Sequence, residues 1–217
     1  MPARRAAARA ACAIIGNRLQ WDVRALTRHY HPAHRRQAIQ WAQNLLRRPY
    51  FVLDTETTGL SATDEIVQIG IIDHDGATVL NQLIKPTIPI PAGASAVHGF
   101  FDRDVAAAPS FKQVYIRLSA LLAGQVVVAY NMDFDWRMLQ QTAARYRLPD
   151  LRLGKRHCAM KQYARYKGAR GKQGRNYTPH KLGNAMRQEG LALMKAHDAL
   201  DDARMTLALI KKMAETS

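Results

Sequence analysis

The sequence predicts an α/β fold in which helices cover a partly parallel β-sheet. Short stretches rich in β-branched residues follow one another between residues 50 and 85. Further along, residues 110 to 146 combine apolar residues at helical spacing with another strand-like stretch. Strands and helices in close succession are typical of sheets that contain parallel strands. A chain of 217 residues has room for one such domain and an extension.

The first 49 residues form a segment of distinct composition, with ten arginines and one acid, Asp22. The apolar stretch within Met1 to Gly16 is too short for a signal peptide. An organelle transit peptide would also be Arg-rich and acid-poor, but no clear cleavage site follows, so we expect a helix or a frayed tail. Ala33 to Arg47 has helical periodicity and ends just before Pro49. We therefore predict an Arg-rich helical extension over residues 1–49 and a separate domain over residues 50–217.

Strands are expected first in that domain. Tyr50 to Leu53, Glu65 to Asp73 and Thr78 to Lys85 are apolar or β-branched, and a hairpin-like turn at residues 74–77 joins the second to the third. We expect these three to form an antiparallel meander. Val126 to Tyr130 is a short apolar run typical of a buried strand.

Helices are expected in four places. Ser110 is a suitable N-cap for a helix that ends at Ala123, and Asp133 to Tyr146 has one apolar face. Thr178 and Pro179 indicate the start of a helix that ends at Gly190. Ala199 to Ala214 has apolar residues at helical spacing.

Residues 151–176 contain nine Lys or Arg residues and no acid, with glycines between tyrosines. This composition predicts a mobile basic loop suited to the backbone and bases of a single strand. A solvated loop without a ligand is the alternative that the composition leaves open.

The net charge of +15 is unevenly distributed: residues 1–49 carry +9, residues 50–150 carry −4 and residues 151–217 carry +10. An acidic centre between basic regions is the layout expected when carboxylates hold metal ions and surrounding cations hold phosphates. A basic surface without a ligand is the alternative.

Other classes of protein are disfavoured. Cys12 and Cys158 are far apart, so we expect neither a disulfide framework nor a cysteine zinc site, and a reducing, cytoplasmic compartment fits best. No apolar run approaches the roughly 20 residues of a membrane span, so we expect a soluble protein and no membrane partner.

Five residues stand out as candidates for chemistry. Asp54 and Glu56 are two positions apart next to a strand, so their side chains point to the same face of the sheet. Two carboxylates that close repel each other, and the arrangement is unfavourable unless a cation lies between them. Asp135 opens a helix that follows a strand. His197 and Asp202 would differ by roughly 140° on one helix, so we place His197 in the preceding loop. From there its imidazole could accept a proton near neutral pH.

Four segments resemble, in order and spacing, the motifs of the DnaQ-like 3′–5′ exonucleases of the DEDDh class, which includes the polymerase III epsilon proofreading subunit and RNase T. They are DTETTGL (54–60), AVHGF (96–100), YNMDFD (130–135) and AHDALDDA (196–203). The resemblance covers roughly residues 50–214. It implies an RNase H-like fold with a mixed five-stranded sheet flanked by helices.

The resemblance also implies roles for individual residues. Two Mg²⁺ ions, for which Mn²⁺ would substitute, would be held by Asp54, Glu56, Asp135 and Asp202, and His197 would be the general base. The nucleic acid would be bound by a further six residues: Thr57, Thr58, Leu60, Val97, His98 and Asn131. Tyr130 stands where the family usually has His, so its role is open.

Other acids and histidines near these segments are assigned plainer roles. Asp133, Asp198 and Asp201 are expected to cap helices or to face solvent. His29, His31 and His34 lack a matching pair of Cys or His residues, so surface positions are favoured over a zinc site.

The sequence therefore predicts a metal-dependent 3′–5′ exonuclease that releases nucleoside 5′-monophosphates from the 3′ end of single-stranded DNA or RNA, with DNA favoured. A polymerase or another replication or repair protein is a candidate partner. The alternative is a non-catalytic nucleic-acid-binding or polymerase-associated module that keeps the fold, although all five catalytic residue types are present. Proofreading, repair, RNA trimming and defence are not separated by the sequence, and the oligomeric state is open.

Overall fold

The computed structural model describes residues 32–169, 177–195 and 197–216, together with the backbone of residues 12–15 and 18–21. Its strands are β1 (Cys12–Ile15), β2 (Arg18–Trp21), β3 (Phe51–Thr57), β4 (Ile66–Asp73), β5 (Thr78–Leu83), β6 (Val127–Ala129) and β7 (Arg156–Cys158). Its helices are α1 (Pro32–Leu45), α2 (Ala92–His98), α3 (Asp102–Val105), α4 (Phe111–Leu122), α5 (Met132–Arg145), α6 (Ala159–Lys167), α7 (Leu182–Gln188) and α8 (Ala199–Ala214).

The main sheet is mixed and five-stranded, in the order β5-β4-β3-β6-β7. Strands β3, β4 and β5 form the predicted antiparallel meander, and β6 and β7 run parallel to β3 and to each other. The predicted fold class is thus confirmed. Strand β3 extends past the predicted end at Leu53 to Thr57, so Asp54 and Glu56 lie within the strand rather than after it.

Each face of the sheet is covered by a separate apolar core. Successive strand residues alternate between the two: Val52 belongs to one core and Leu53 to the other, as do Val128 and Val127. Helices α1, α6, α7 and α8 pack on the first face. Helices α4 and α5 pack on the second. The central strands are therefore buried on both sides, and only their ends remain for a site.

Helix α1 packs into the first core through Ala38, Ala42 and Leu45, which are buried beside residues of α6 and α8. It begins and ends within two residues of the predicted helix. The division of the chain at residue 49 stays a prediction. No helix in the described part of the chain is long and apolar enough to cross a lipid bilayer.

The expectation of a helix or frayed tail over Met1 to Gly16 is wrong for the part that is described. Strands β1 and β2 pair in antiparallel register, with Cys12 opposite Trp21. Gly16 and Asn17 stand between them in the sequence, a residue pair that favours a two-residue hairpin turn. The Ala- and Arg-rich composition of the neighbouring residues favoured a helix or a frayed tail instead.

The prediction of a mobile basic loop over residues 151–176 is wrong for its described part. Strand β7 and helix α6 occupy residues 156–167, and Tyr163 and Tyr166 are buried. Ala159, Tyr163 and Tyr166 recur at helical spacing, so these rings belong to a core and not to a base-stacking loop. Residues 170–176 lie outside the described part of the chain.

The helix predicted from Thr178 begins later, at Leu182. The Tyr130 hydroxyl donates a hydrogen bond to the backbone carbonyl of His180, at 2.6 Å. This tertiary bond holds the segment before α7 against the end of β6. Tyr130, the unusual residue of YNMDFD, therefore anchors this segment from within the core. Burial raises the pKa of its hydroxyl.

An ion pair between a buried carboxylate and an exposed arginine joins the residue before β4 to the end of α5. Glu65 has a side chain that is 1% exposed, and its Oε1 lies 2.8 Å from Nε of Arg145. The backbone N–H of Thr87 donates to the other carboxylate oxygen, at 3.0 Å. Residues that are remote in sequence are thereby fixed around one charge.

Replacing Arg145 by Met should therefore lower the free energy of unfolding by about 1–3 kcal/mol, because a buried carboxylate loses its cation but keeps its Thr87 bonds. Urea denaturation measures the change. Arg117→Met is the matched control, since Arg117 is exposed on α4. Its change is expected to stay within about 0.5 kcal/mol. Equal effects of the two substitutions would contradict a stabilising role for the pair.

Candidate active site

Asp54 and Glu56 lie on the same face of β3, the central strand of the sheet. The register places Gly70 opposite Asp54 and Gln68 opposite Glu56 on β4. Glu56 is 8% exposed and Asp54 is half-buried. The alternation of a strand thus delivers both carboxylates to one point, as the sequence predicted.

Asp135 comes from the first turn of α5, directly after β6. Its side chain is 3% exposed, and its Oδ1 accepts a hydrogen bond from the Thr55 hydroxyl at 2.9 Å. Thr55 stands between the two acids of β3, so a single strand both supplies two carboxylates and orients a third. Sequence reasoning did not assign Thr55, because a β-branched residue in a strand needs no special explanation.

Helix α8 brings the remaining candidates. Asp198 is its N-cap, and its carboxylate accepts from the backbone N–H groups of Leu200 and Asp201. Asp202 follows in the first turn. His197 precedes the cap with a φ of 62°, a left-handed conformation that few non-glycine residues adopt. The predicted loop position of His197 is confirmed, and this backbone turn accompanies a side chain that reaches Glu56 and Asp202.

The carboxylates perturb one another, which shows that they share one site. Burial and then the charges of Asp135, Asp202 and Glu56 hold the pKa of Asp54 well above its usual value. The pKa of Glu56 is raised to about 8, first by burial and then by Asp202 and Asp135. Burial raises the pKa of Asp135 to about 7 against the lowering effect of the Thr55 hydrogen bond. The pKa of Asp202 rises to about 6, again through burial, while nearby His197 opposes the change.

This donor set fits divalent metal ions. One ligand atom each from Glu56, His197 and Asp202 lie within 4.8 Å of one another. The Oδ1 atom of Asp202 is buried and has no hydrogen-bond partner among the described residues. A buried carboxylate oxygen without a partner is costly unless it meets a cation. Asp54 and Asp135 would supply the further oxygen ligands that Mg²⁺ or Mn²⁺ prefers.

Comparison with known proteins identifies the family. The family model described as Exonuclease, of the RNase T group, matches residues 51–210. The chain belongs to the RNase T family of exonucleases. The "Uncharacterized exonuclease CP81" of Escherichia phage 186 is 42% identical over 182 residues, which cover 81% of this chain and 93% of the phage protein. DNA polymerase III subunit epsilon of Treponema pallidum is 30% identical over 168 residues, covering 76% and 75% of the two chains.

Solved structures agree with this membership. Exonuclease X, in complex with 5′ overhanging duplex DNA, is 29% identical and covers 76% of this chain and 90% of its own, with a TM-score of 0.55. The nuclease domain of 3′hExo, a DEDDh family member bound to rAMP, has a TM-score of 0.56 at 17% identity over 78% and 94% of the chains, and shares the fold. The protein is thus an exonuclease of this family, and its mixed five-stranded sheet is an RNase H-like fold.

The predicted nucleic-acid-binding residues of this exonuclease fall into two groups. Thr57 and Thr58 are buried, and their hydroxyls donate to the Gly59 carbonyl and to Asp64, at 2.7 and 2.9 Å. They fix the turn after β3. Leu60, which follows them, is 77% exposed. This large apolar side chain is held in solvent by a well-bonded turn.

The second group lies on α2 and at the end of β6. Val97 is 52% exposed, whereas His98 is buried. The Nδ1 atom of His98 accepts from the Phe100 backbone N–H, and burial lowers the pKa of the ring. Asn131 is half-buried, and its backbone carbonyl accepts from the first turn of α5. The binding roles of both groups stay predictions.

The neighbouring acids and histidines are placed as follows. Asp198 caps α8, as expected, and Asp201 pairs with Arg204 at 3.1 Å. Exposed Asp133 pairs with Lys161. His34 packs edge-on against Tyr177. His29 and His31 lie outside the described part of the chain.

Two residues of β4 that sequence reasoning missed hold the start of α8. The Gln68 Oε1 atom accepts the Ala199 backbone N–H at 2.9 Å, and its Nε2 donates to Asn81 at 3.0 Å. Gly70 faces the same turn so closely that a Cβ there would lie 2.5 Å from the backbone of Ala199 and Leu200. The helix that carries Asp202 therefore rests directly on the strand beside Asp54. Only the glycine in an apolar strand run could have signalled this approach.

Gly70→Ala should push the first turn of α8 away from β3, because the added methyl meets backbone and not a flexible side chain. We expect unfolding free energy to fall by about 1–3 kcal/mol and the turnover number to fall with it. Gly93→Ala is the control, since nothing lies within 4 Å of its Cβ position on α2. That change should be neutral or stabilise by up to about 1 kcal/mol. Wild-type turnover in Gly70→Ala would contradict the close approach of helix and strand.

The raised pKa values also predict a pH dependence. A carboxyl group whose pKa is higher in the folded state keeps its proton there to higher pH, so the folded state binds more protons between about pH 4.5 and pH 8. The free energy of unfolding in EDTA should thus fall as pH rises through this window, by about 1.4 kcal/mol per unit for each extra proton. Denaturation at several pH values measures it.

Glu56→Gln should flatten this pH dependence, because the variant removes one of the raised groups. Asp133→Asn, which changes an exposed acid outside the cluster, should leave it as in the wild type. Added Mg²⁺ should raise stability more at the alkaline end, where protons no longer compete for the carboxylates. A stability that rises with pH across the window in EDTA would contradict the buried, mutually repelling cluster.

Proposed function

We propose that the protein uses two divalent metal ions to hydrolyse the terminal phosphodiester at the 3′ end of single-stranded nucleic acid, with DNA preferred, and releases nucleoside 5′-monophosphates. One observation carries the proposal: carboxylates from β3, α5 and α8 converge, and the His197 imidazole lies beside two of them. Such a group is unfavourable without cations and suited to them.

In this proposal Asp54, Glu56, Asp135 and Asp202 hold the ions. Two Mg²⁺ ions bound there would lower the pKa of a water molecule and neutralise charge on the attacking and leaving oxygens. An imidazole nitrogen of His197 takes the proton from the attacking water, and its exposure lets that proton pass to solvent. Thr55 keeps Asp135 in place through the hydrogen bond to Oδ1.

The rim of the site supports a single-stranded end as the substrate. Leu60 and Val97 are large apolar side chains left exposed on the turn after β3 and on α2. Exposed apolar groups beside a charged site are suited to contact the terminal base, since every base has an apolar face. Asn131 and the Thr57–Thr58 turn would border the sugar.

The preference for DNA rests on relatives. Exonuclease X, at 29% identity, is bound to DNA in its structure. The Treponema relative is a DNA polymerase subunit by name, which also supports a polymerase as partner. Rates on matched DNA and RNA oligonucleotides of one sequence test the preference, because only the 2′-hydroxyl differs between them. Faster hydrolysis of the RNA would overturn it.

Asp202→Asn should reduce hydrolysis of a 3′ end by at least about 10³-fold in Mg²⁺, since the site then has one charged ligand fewer. Binding of a single-stranded oligonucleotide should persist. The measurement is the stepwise shortening of a 5′-labelled strand, which also reports direction because the label stays on the shortened products when nucleotides leave from the 3′ end. Asp201→Asn is the matched control, because Asp201 is adjacent in sequence but pairs with Arg204. Wild-type activity in Asp202→Asn would refute the assignment.

A further inference from the structure

The edge of the sheet carries a second feature that the proposed reaction does not use. β7 is the outermost of the described strands on that side, and its successive residues point to opposite faces. Arg156 lies on the α5 side, with its guanidinium 4.4 Å from the centre of the Trp136 ring. His157 lies on the α1 side, where its Nδ1 accepts from the Trp41 indole N–H at 3.2 Å. On each face of the sheet, a β7 side chain therefore contacts a tryptophan: Arg156 contacts Trp136, and His157 contacts Trp41.

Two cavities adjoin along this strand. One, of about 370 Å³, lies between α1 and β7 and is lined by Trp41, Arg48 and Lys155 among others. The other, of about 330 Å³, lies between β7, α5 and α6. His157 lines both, so they form one continuous surface. We call this the β7 surface and define it by six residues: Trp41, Arg48, Trp136, Lys155, Arg156 and His157.

The charge of the β7 surface is positive and largely uncompensated. Arg48, Lys155 and Arg156 are exposed, and none has a carboxylate within ion-pair distance in the described parts of the chain. Burial and the charges of Arg48 and Lys155 lower the pKa of His157, and because its Nδ1 accepts from Trp41, Nε2 is the ring nitrogen that can donate. Lys161 pairs with Asp133 at one end. The geometry leaves donors here with no acceptor of their own.

The β7 surface lies one helix away from the acidic cluster. Asp135 and Trp136 are consecutive on α5, and they face the cluster and the β7 surface respectively. A helix with its side chains is about 10–12 Å across. A nucleic-acid strand carries a phosphate about every 3.4 Å of helix axis, and more widely when extended. A strand whose 3′ end is in the site therefore needs only a few nucleotides to reach this edge.

We propose that the β7 surface binds the phosphate backbone of a single-stranded nucleic acid upstream of its 3′ end, an inference that rests on the proposed function. The Arg156 guanidinium lies against the Trp136 ring and has N–H donors left for a phosphate, and Lys155 and Arg48 continue the path towards α1. Because the proposed contacts are made to the phosphate backbone, binding should not depend on the base sequence.

The test compares Lys155→Ala/Arg156→Ala with Lys112→Ala/Arg117→Ala, which removes the same charge from exposed positions on α4. The probe is a 5′-fluorescein dT oligomer of about 20 nucleotides, whose binding is followed by anisotropy in EDTA between about 50 and 200 mM salt. In the β7 variant the dissociation constant should rise about tenfold, and the log–log salt slope should fall by about 0.7 for each phosphate that the variant no longer neutralises. The α4 variant should match the wild type.

A dT dimer separates this inference from the proposed function. Its single phosphodiester is the bond that is cleaved, so no phosphate is left for the β7 surface. The β7 variant should therefore hydrolyse it in Mg²⁺ with wild-type kcat/KM, which also shows that the variant is folded. Failure of the wild type to hydrolyse both the dimer and the long oligomer, with the binding difference intact, would overturn the proposed function alone. An unchanged dissociation constant and slope for the long oligomer would overturn the inference. Loss of polyglutamate binding in that variant would then assign the surface to an acidic protein.

Discussion

Four carboxylates that repel one another are held together at the end of the central strand of this fold. Asp54, Glu56 and Asp135 are each pushed towards their protonated forms, first by burial and then by neighbouring carboxylates that include Asp202. Without a constraint from the fold, the repulsion between these carboxylates would separate them. They stay together because β3 is central and covered on both faces, so its two acids cannot leave the sheet without opening both apolar cores. Packing in the two apolar cores therefore offsets the unfavourable clustering of the carboxylates.

Neutral contacts hold the opposing elements against this repulsion. The Thr55 hydroxyl ties α5 to β3 through Asp135. On the other side Gln68 and Gly70 let the backbone of α8 rest on β4, and the Gln68 amide oxygen takes a helix N–H that would otherwise lack a partner. None of these groups adds charge to the cluster. The scaffold can therefore be stiff without cancelling the negative potential that suits the site to cations.

Sequence patterns were sufficient where one period or one motif dominated. The meander, α8 and the loop position of His197 followed from periodicity and helix geometry, and the acidic set followed from motif order. They failed where tertiary contacts decide. In the sequence, Tyr163 and Tyr166 fit either a base-stacking loop or a buried core. The packing of α1 and α8 beside them places both rings in the core. Gln68 and Gly70 act through backbone groups of α8, which lies some 130 residues away, and no local pattern encodes such a contact.

The distribution of charge gives binding and hydrolysis separate physical controls. Cations along β7 attract phosphates at long range, so their effect weakens as salt screens them. The acidic cluster repels the same phosphates until divalent ions are present, so its effect follows metal concentration and pH. Helix α5 separates the acidic cluster from the β7 cations, with Asp135 on one side and Trp136 on the other. The acidic and basic side chains therefore do not pair with each other directly. In the proposed function, a strand would thus be held by its backbone before its 3′ end is accepted, and metal would control the acceptance of that end.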